Sequence, residues 1–205
     1  MADVDKIIEI LKKKYPNPKI ELNFSNPFEL LIATILSAQA QDVRVNKVTE
    51  NLFKKLKTPE DYVNLGEDNL AEEIKSINYY KNKAKNIIKC CEILAKKYNN
   101  KVPETLEELV ELPGIGRKTA NVILGLGFNK PVIIVDTHVK RVSKRLGLTN
   151  ENDPQKIEFD LMEKIPKNYW TEFSLAAILH GRYTCKARKP NCGNCVFNEI
   201  CDKNV

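Results

Sequence analysis

Glycine is scarce in this chain, 8 among 205 residues, and aromatic side chains make up only 7%. Sheet folds draw on aromatic and β-branched strands joined by glycine turns, so this shortage, beside abundant Leu, Ile, Lys and Glu, favours helices. The single strand-like run, residues 132–135, is too short and isolated to support a sheet and reads as an extended connector. No stretch approaches the ~20 apolar residues of a membrane span. The first residues, Met1-Ala2-Asp3-Val4-Asp5, lack a basic flank followed by an apolar core, so no secretory leader is expected and the reading is a soluble, cytoplasmic protein. Internal repeats and low-complexity linkers are also missing. That leaves one or two small domains with enough chain to bury a core.

Basic charge is in modest excess. Lys and Arg number 33 against 27 Asp and Glu, a net charge of +6, which suits a polyanionic partner without requiring one.

Apolar spacing predicts helices almost throughout. Val4, Ile7, Ile8 and Leu11 share a face of a helix over residues 4–14, ending before Pro16. Ser25-Asn26-Pro27 starts a second, and residues 28–38 are apolar almost all round apart from Glu29 and Thr34, as a central buried helix would be. Asp42 is placed to cap a third, carrying Val45, Val48, Leu52 and Phe53. Thr58-Pro59-Glu60 opens a short helix to Leu65, Gly66 breaks it, and a helix over residues 69–77 follows. Ala84, Ile87, Ile88, Cys91, Leu94, Ala95 and Tyr98 then share one face of a longer helix, which makes Cys90 and Cys91 core or partly exposed thiols. Asp136 stands at the N-cap of a helix running to Arg145 and stopped by Gly147, and two more lie near residues 154–164 and 170–182. The expected class is all-α.

The chain is organised around Leu112-Pro113-Gly114-Ile115-Gly116-Arg117-Lys118-Thr119-Ala120-Asn121. An amphipathic run over residues 104–111 precedes it and an apolar helical run over 119–126 follows, so the pattern is helix, hairpin, helix. Gly114 and Gly116 permit positive φ and close backbone approach, and amides of a glycine hairpin that opens a helix point outward together. Such a turn can hold a DNA phosphate without reading sequence. Lys118 sits in the first turn of the second helix, beside Arg117 and near the positive end of the helix dipole. Those neighbours disfavour its ammonium, and a neutral lysine amine forms Schiff bases with sugar aldehydes. The plainer role is a solvated lysine that touches phosphate. Asp136 has the plainer role of an N-cap, but the return segment can bring its carboxylate back towards Lys118, and an amine beside a carboxylate suits covalent catalysis.

Cys185, Cys192, Cys195 and Cys201 are separated by six, two and five residues. Four thiols so close, in a compartment that keeps disulfides reduced, point to a metal site. Spacing alone leaves zinc and an iron–sulfur cluster open, since both accept four cysteines. Lys186, Arg188 and Lys189 lie between the first two cysteines, where they either clamp a phosphate or merely keep the loop solvated.

Together these segments resemble the endonuclease III family of helix-hairpin-helix DNA glycosylases. The resemblance runs through Leu36-Ser37-Ala38-Gln39-Ala40, the hairpin at residues 112–121, Val135-Asp136-Thr137-His138-Val139, Leu179-His180-Gly181-Arg182-Tyr183-Thr184-Cys185 and the four-cysteine spacing. It implies a two-lobed, all-α fold: a helical-barrel domain over residues 22–131 carrying the hairpin, and a domain of residues 1–21 plus 132–205 closed by a four-iron four-sulfur cluster on the four cysteines. It implies a monomeric, nucleoid-associated base excision repair enzyme that removes oxidised pyrimidines from damaged double-stranded DNA and nicks the strand 3′ to the site by β-elimination. Lys118 would attack C1′ of the nucleotide, and Asp136 would assist deprotonation and stabilise charge developing on the sugar. Relatives that only remove a base have another residue where Lys118 stands and usually carry a further C-terminal domain, whereas this chain ends four residues after Cys201. His138 takes no catalytic role in this reading. Gln39, with Gly114, Gly116, Arg117 and the loop of Lys186, Arg188 and Lys189, would contact DNA. Gln39 matches one of two side chains that fill the gap left by a flipped nucleotide. The second position departs from the family: Asn78-Tyr79 stands where many members have Gly and a small or aliphatic residue, so Asn78 is expected in the left-handed conformation with Tyr79 as an aromatic wedge.

Overall fold

The computed structural model describes residues 3–201, and among them it contains helices, turns and loops but no strand. The chain divides into two compact units, one of residues Glu21–Asn129 and the other of residues up to Ile20 together with those from Lys130 onward.

In the central unit, α2 (Pro27–Ser37) starts where Asn26 accepts the backbone N–H of Glu29 and Pro27 takes the first turn. Its faces are buried nearly all round, Glu29 included. The Glu29 carboxylate is satisfied by the backbone N–H and hydroxyl of Ser25, at 2.8 and 2.6 Å. α3 (Asp42–Lys55) and α6 (Tyr80–Lys97) pack on it, and α6 also carries α4 (Pro59–Leu65) and α5 (Glu67–Glu73). Two expected boundaries move. Asp42 is the first residue of α3 rather than its cap, because Gln41 takes the cap position and its side chain bonds nothing there. α5 begins at Glu67, since Gly66 at φ 81° ends α4 and starts α5 at once, and residues 74–79 form turns instead of continuing the helix. α7 (Leu106–Val110), α8 (Arg117–Val122) and a π-helical turn, Ile123–Gly127, complete the unit, with α8 running into the π turn without a break. Cys90 and Cys91 are buried, and desolvation pushes the Cys90 thiol up to about 12. They are inert core thiols.

In the other unit, α1 (Val4–Lys14) lays Ile7, Ile8 and Leu11 against a core shared by α9 (Thr137–Arg145), α10 (Pro154–Lys164) and α11 (Trp170–Tyr183). Residues 132–135 are an extended connector, anchored where the Ser174 hydroxyl accepts the Ile134 N–H at 2.9 Å. α9 and α11 cross so closely at Gly181 that a Cβ there would stand 2.7 Å from Cβ of His138. Only glycine fits that crossing. No described helix is long and apolar enough to cross a membrane.

Candidate active site and cluster loop

The hairpin joining α7 to α8 uses its two glycines differently. Gly114 has φ +84° and lies against Asn86 of α6, so both conformation and packing require glycine. Gly116, the N-cap of α8, has φ −95° and is exposed, with nothing within 4 Å of a Cβ placed on it. Both glycines permit positive φ, and Gly114 is the one that adopts it. Nothing within the protein demands glycine at position 116, and the bare amide surface there faces solvent.

Lys118 follows in the first turn of α8. It is exposed, and among the described residues its ammonium meets no hydrogen-bond or ion-pair partner. Asp136 lies in the other unit as the N-cap of α9. One carboxylate oxygen, Oδ1, accepts both the His138 and the Val139 backbone N–H at 2.8 Å. Oδ2 has no hydrogen bond among the described residues, so capping leaves one carboxylate oxygen open. His138 is held within the fold, with its Nδ1 3.1 Å from Arg141 Nη2.

Gln39 and Tyr79 both lie in the central unit and are both exposed. Seven described non-glycine residues have positive φ; four are asparagines, the residue that tolerates it best, and the remaining three are Gln39, Tyr79 and Lys189. The left-handed residue of the second turn is therefore Tyr79, at φ 58°, and not Asn78 as expected. Asn78 instead donates its side-chain amide to the Gln39 carbonyl at 3.0 Å.

In the last segment, Cys185, Cys192, Cys195 and Cys201 line one cavity of about 430 Å³, counting its open mouth, and none is in a disulfide. Two N–H groups point at the sulfurs: Arg145 Nη1 reaches Cys185 Sγ at 3.3 Å and the Phe197 amide reaches Cys195 Sγ at 3.4 Å. Donors aimed at sulfur suit thiolates. Four thiols lining one cavity are a donor set that an iron–sulfur cluster accepts. His180 is buried beside them, its Nδ1 3.2 Å from the Tyr15 hydroxyl and its Nε2 3.6 Å from Cys195 Sγ. Burial, with Lys14 nearby, pushes its pKa down to about 4, so the ring is neutral.

Lys186, Arg188 and Lys189 are exposed on the loop between the first two cysteines. The Asn191 amide closes that loop on the Thr184 carbonyl at 3.0 Å, and Arg145 holds its inner edge by the Lys186 carbonyl at 2.9 Å. Arg145 and His180 escape sequence reasoning because nothing in helical spacing distinguishes an inward polar residue from a solvated one; His180's place in the motif before Cys185 was the only signal.

An all-helical fold with a glycine hairpin leading into an exposed lysine, and with four clustered thiols, defines a helix-hairpin-helix base excision enzyme. The family model described as HhH-GPD superfamily base excision DNA repair protein matches residues 32–167, and the iron–sulfur binding domain of endonuclease III matches residues 185–201. The chain is 49% identical over 199 residues to endonuclease III of Rickettsia felis, covering 97% of this chain and 93% of that protein. It is 46% identical over 196 residues to endonuclease III of Escherichia coli, covering 96% and 93%. A solved structure described as a trapped endonuclease III–DNA covalent intermediate superposes with TM-score 0.92 at 46% identity, covering 98% of this chain and 97% of that one. A thermostable thymine-DNA glycosylase shares the fold, with TM-score 0.86 at 22% identity. The chain belongs to the endonuclease III family; it is a DNA glycosylase of base excision repair, its partner is DNA and its cofactor is a four-iron four-sulfur cluster.

Proposed function

We propose that the protein is a bifunctional glycosylase and lyase for oxidised pyrimidines, with Lys118 as nucleophile. The observation that carries this reading is the exposed, unpartnered ammonium of Lys118 in the first turn after the glycine hairpin. Its amine attacks C1′, the C1′–N bond to the base breaks, and the base leaves with the bonding electrons. The nitrogen lone pair then expels O4′, which takes up a proton as the sugar ring opens to a Schiff base; that Schiff base acidifies C2′, and loss of the C2′ proton expels the 3′ phosphate, which nicks the strand. Asp136 assists deprotonation and stabilises positive charge on the sugar through the oxygen not used for capping. The trapped covalent intermediate of a relative 46% identical supports the covalent route.

DNA is held without sequence reading. Gly114, Gly116 and Arg117 offer hairpin amides and charge to one phosphate, and Lys186, Arg188 and Lys189 take another stretch of backbone. Gln39 and Tyr79 fill the gap left by the flipped nucleotide, Tyr79 by stacking. Cys185, Cys192, Cys195 and Cys201 hold the cluster, which supplies four iron–thiolate bonds that fasten the basic loop. Residues 21–129 form the hairpin domain, the chain ends form the cluster domain, and the enzyme works as a monomer at the nucleoid.

Borohydride reduction on a duplex with an abasic site tests the chemistry. Wild type gives a covalent adduct and Lys118→Ala gives none while still binding the duplex. An adduct in Lys118→Ala, or none in wild type, overturns the lyase assignment.

A further inference from the structure

α2 closes its own end only in part: the Ser37 hydroxyl donates to the Thr34 carbonyl and the Ala40 N–H to the Ser37 carbonyl, each at 3.0 Å. Its C-cap, Ala38, makes no backbone bond to the last turn, and that turn contains no basic residue. Helix ends are normally closed by a backbone bond, a cation or water. Here the Leu36 and Ala38 carbonyls are met from another helix. Lys83, in the first turn of α6 and only 6% exposed, places its ammonium 2.8 Å from the Leu36 carbonyl and 2.6 Å from the Ala38 carbonyl. A cation at a helix C-terminus is favoured by the dipole as well as by these bonds. Burial without a carboxylate partner holds the Lys83 pKa below its ordinary value, yet two carbonyls at such distances keep the group a donor.

The residue after Ala38 is Gln39, in the left-handed region at φ 54°. The Gln39 carbonyl is in turn bonded by the side chain of Asn78, whose neighbour Tyr79 is also left-handed. Lys83 and Asn78 thus fasten two strained turns, 40 residues apart in the chain, to the same end of α6.

We infer that Lys83 and Asn78 are positioning residues for base extrusion: the Lys83 ammonium fixes the turn that presents Gln39, and the Asn78 amide locks it to the turn that presents Tyr79. The inference rests on the assignment of Gln39 and Tyr79 as the pair that enters the duplex. Its consequence is specific to paired DNA. A single strand leaves no gap opposite an orphaned base, so strand cleavage at an abasic site in single-stranded DNA needs Lys118 but not the clamp.

The test compares wild type, Lys83→Met, Lys83→Arg and Asn78→Ala on one abasic-site strand, alone and paired with a strand that has 2-aminopurine opposite the site. Lys83→Met loses at least about tenfold in kcat/KM on the duplex, what one charge-assisted hydrogen bond is worth, and Asn78→Ala, whose bond is neutral and exposed, loses about threefold. They also lose the 2-aminopurine signal on binding and keep the wild-type rate on the single strand. Lys83→Arg, which can still donate, recovers part of both. Equal losses on both substrates would show a structural role alone, and undiminished duplex activity would show no role; either overturns the inference. Asn78 is exposed, so its variant folds even if Lys83→Met does not. Wild type that cleaves neither substrate would overturn the lyase assignment itself, a result distinct from loss in the variants alone.

Discussion

The exposed groups proposed to act from residues 21–129 and the half-buried groups of the unit formed by the chain ends are held in opposite ways. In the first, Gln39, Tyr79, Gly116 and Lys118 are exposed, and their placement depends on backbone: left-handed turns, a glycine hairpin and a helix start. In the second, Asp136 and the four cysteines are half-buried and fixed by side-chain and backbone donors, with Arg145 on Cys185, the Phe197 amide on Cys195, and the His138 and Val139 amides on Asp136. Groups that must meet a polyanion need bare surface, and small exposed residues give it. Groups that must keep a charge or a metal need donors around them, and burial makes those donors count. Substituting one of these exposed groups of the first unit should therefore damage function without stability, and substituting one of these half-buried groups of the second should damage both.

Asp136 is the position where that contrast breaks down most usefully, because one oxygen caps α9 and the other is the one proposed for the chemistry. Asp136→Asn keeps a side chain that caps helices as well as Asp, so melting temperature should barely move, while the lyase rate falls by about 10²–10⁴-fold. If Asp136→Asn instead retained activity and lost stability, the carboxylate would be a cap only.

Loss of the cluster should show the second unit's dependence on side chains. Cys195→Ser, or iron removal, is expected to weaken duplex binding and open residues 185–201 to protease while residues 21–129 resist it. Cleavage spreading equally through both units would deny that the cluster acts locally.

A smaller effect separates the two hairpin glycines. Gly116→Ser should leave thermal stability unchanged or slightly raised, since serine is a good N-cap and space is open there, yet lower duplex affinity about tenfold by crowding the phosphate. Gly114→Ala should destabilise the fold by about 1 kcal/mol or more, because φ is +84° and Asn86 lies 3.3 Å from the added carbon. Equal effects at the two positions would remove the distinction between a glycine the protein needs and one the ligand needs.

Much of this was legible in the sequence, because capping and periodicity are local. Asn26-Pro27, Thr58-Pro59 and Asp136 start helices as their chemistry predicts, and residues 154–164 form the helix expected there. The misplacements at Asp42, Asn78 and the helix after Gly66 are local too, each arising where a neighbour, Gln41, Tyr79 or Gly66 itself, took the special backbone position. What could not be read was the long-range polar bonding. Lys83 to the end of α2 spans 47 residues to Leu36, and Arg145 to Cys185 spans 40. No periodicity signals such a bond, because an inward lysine or arginine occupies the same helical register as a solvated one.

The central claim is that one exposed lysine carries the covalent step, and the most direct measurement is to locate the covalent bond. Borohydride-trapped protein from an abasic duplex, digested and read by tandem mass spectrometry, should carry the reduced sugar on Lys118 and on no other residue. A sugar found on Lys83, on a loop lysine at 186 or 189, or spread over several amines would contradict the account.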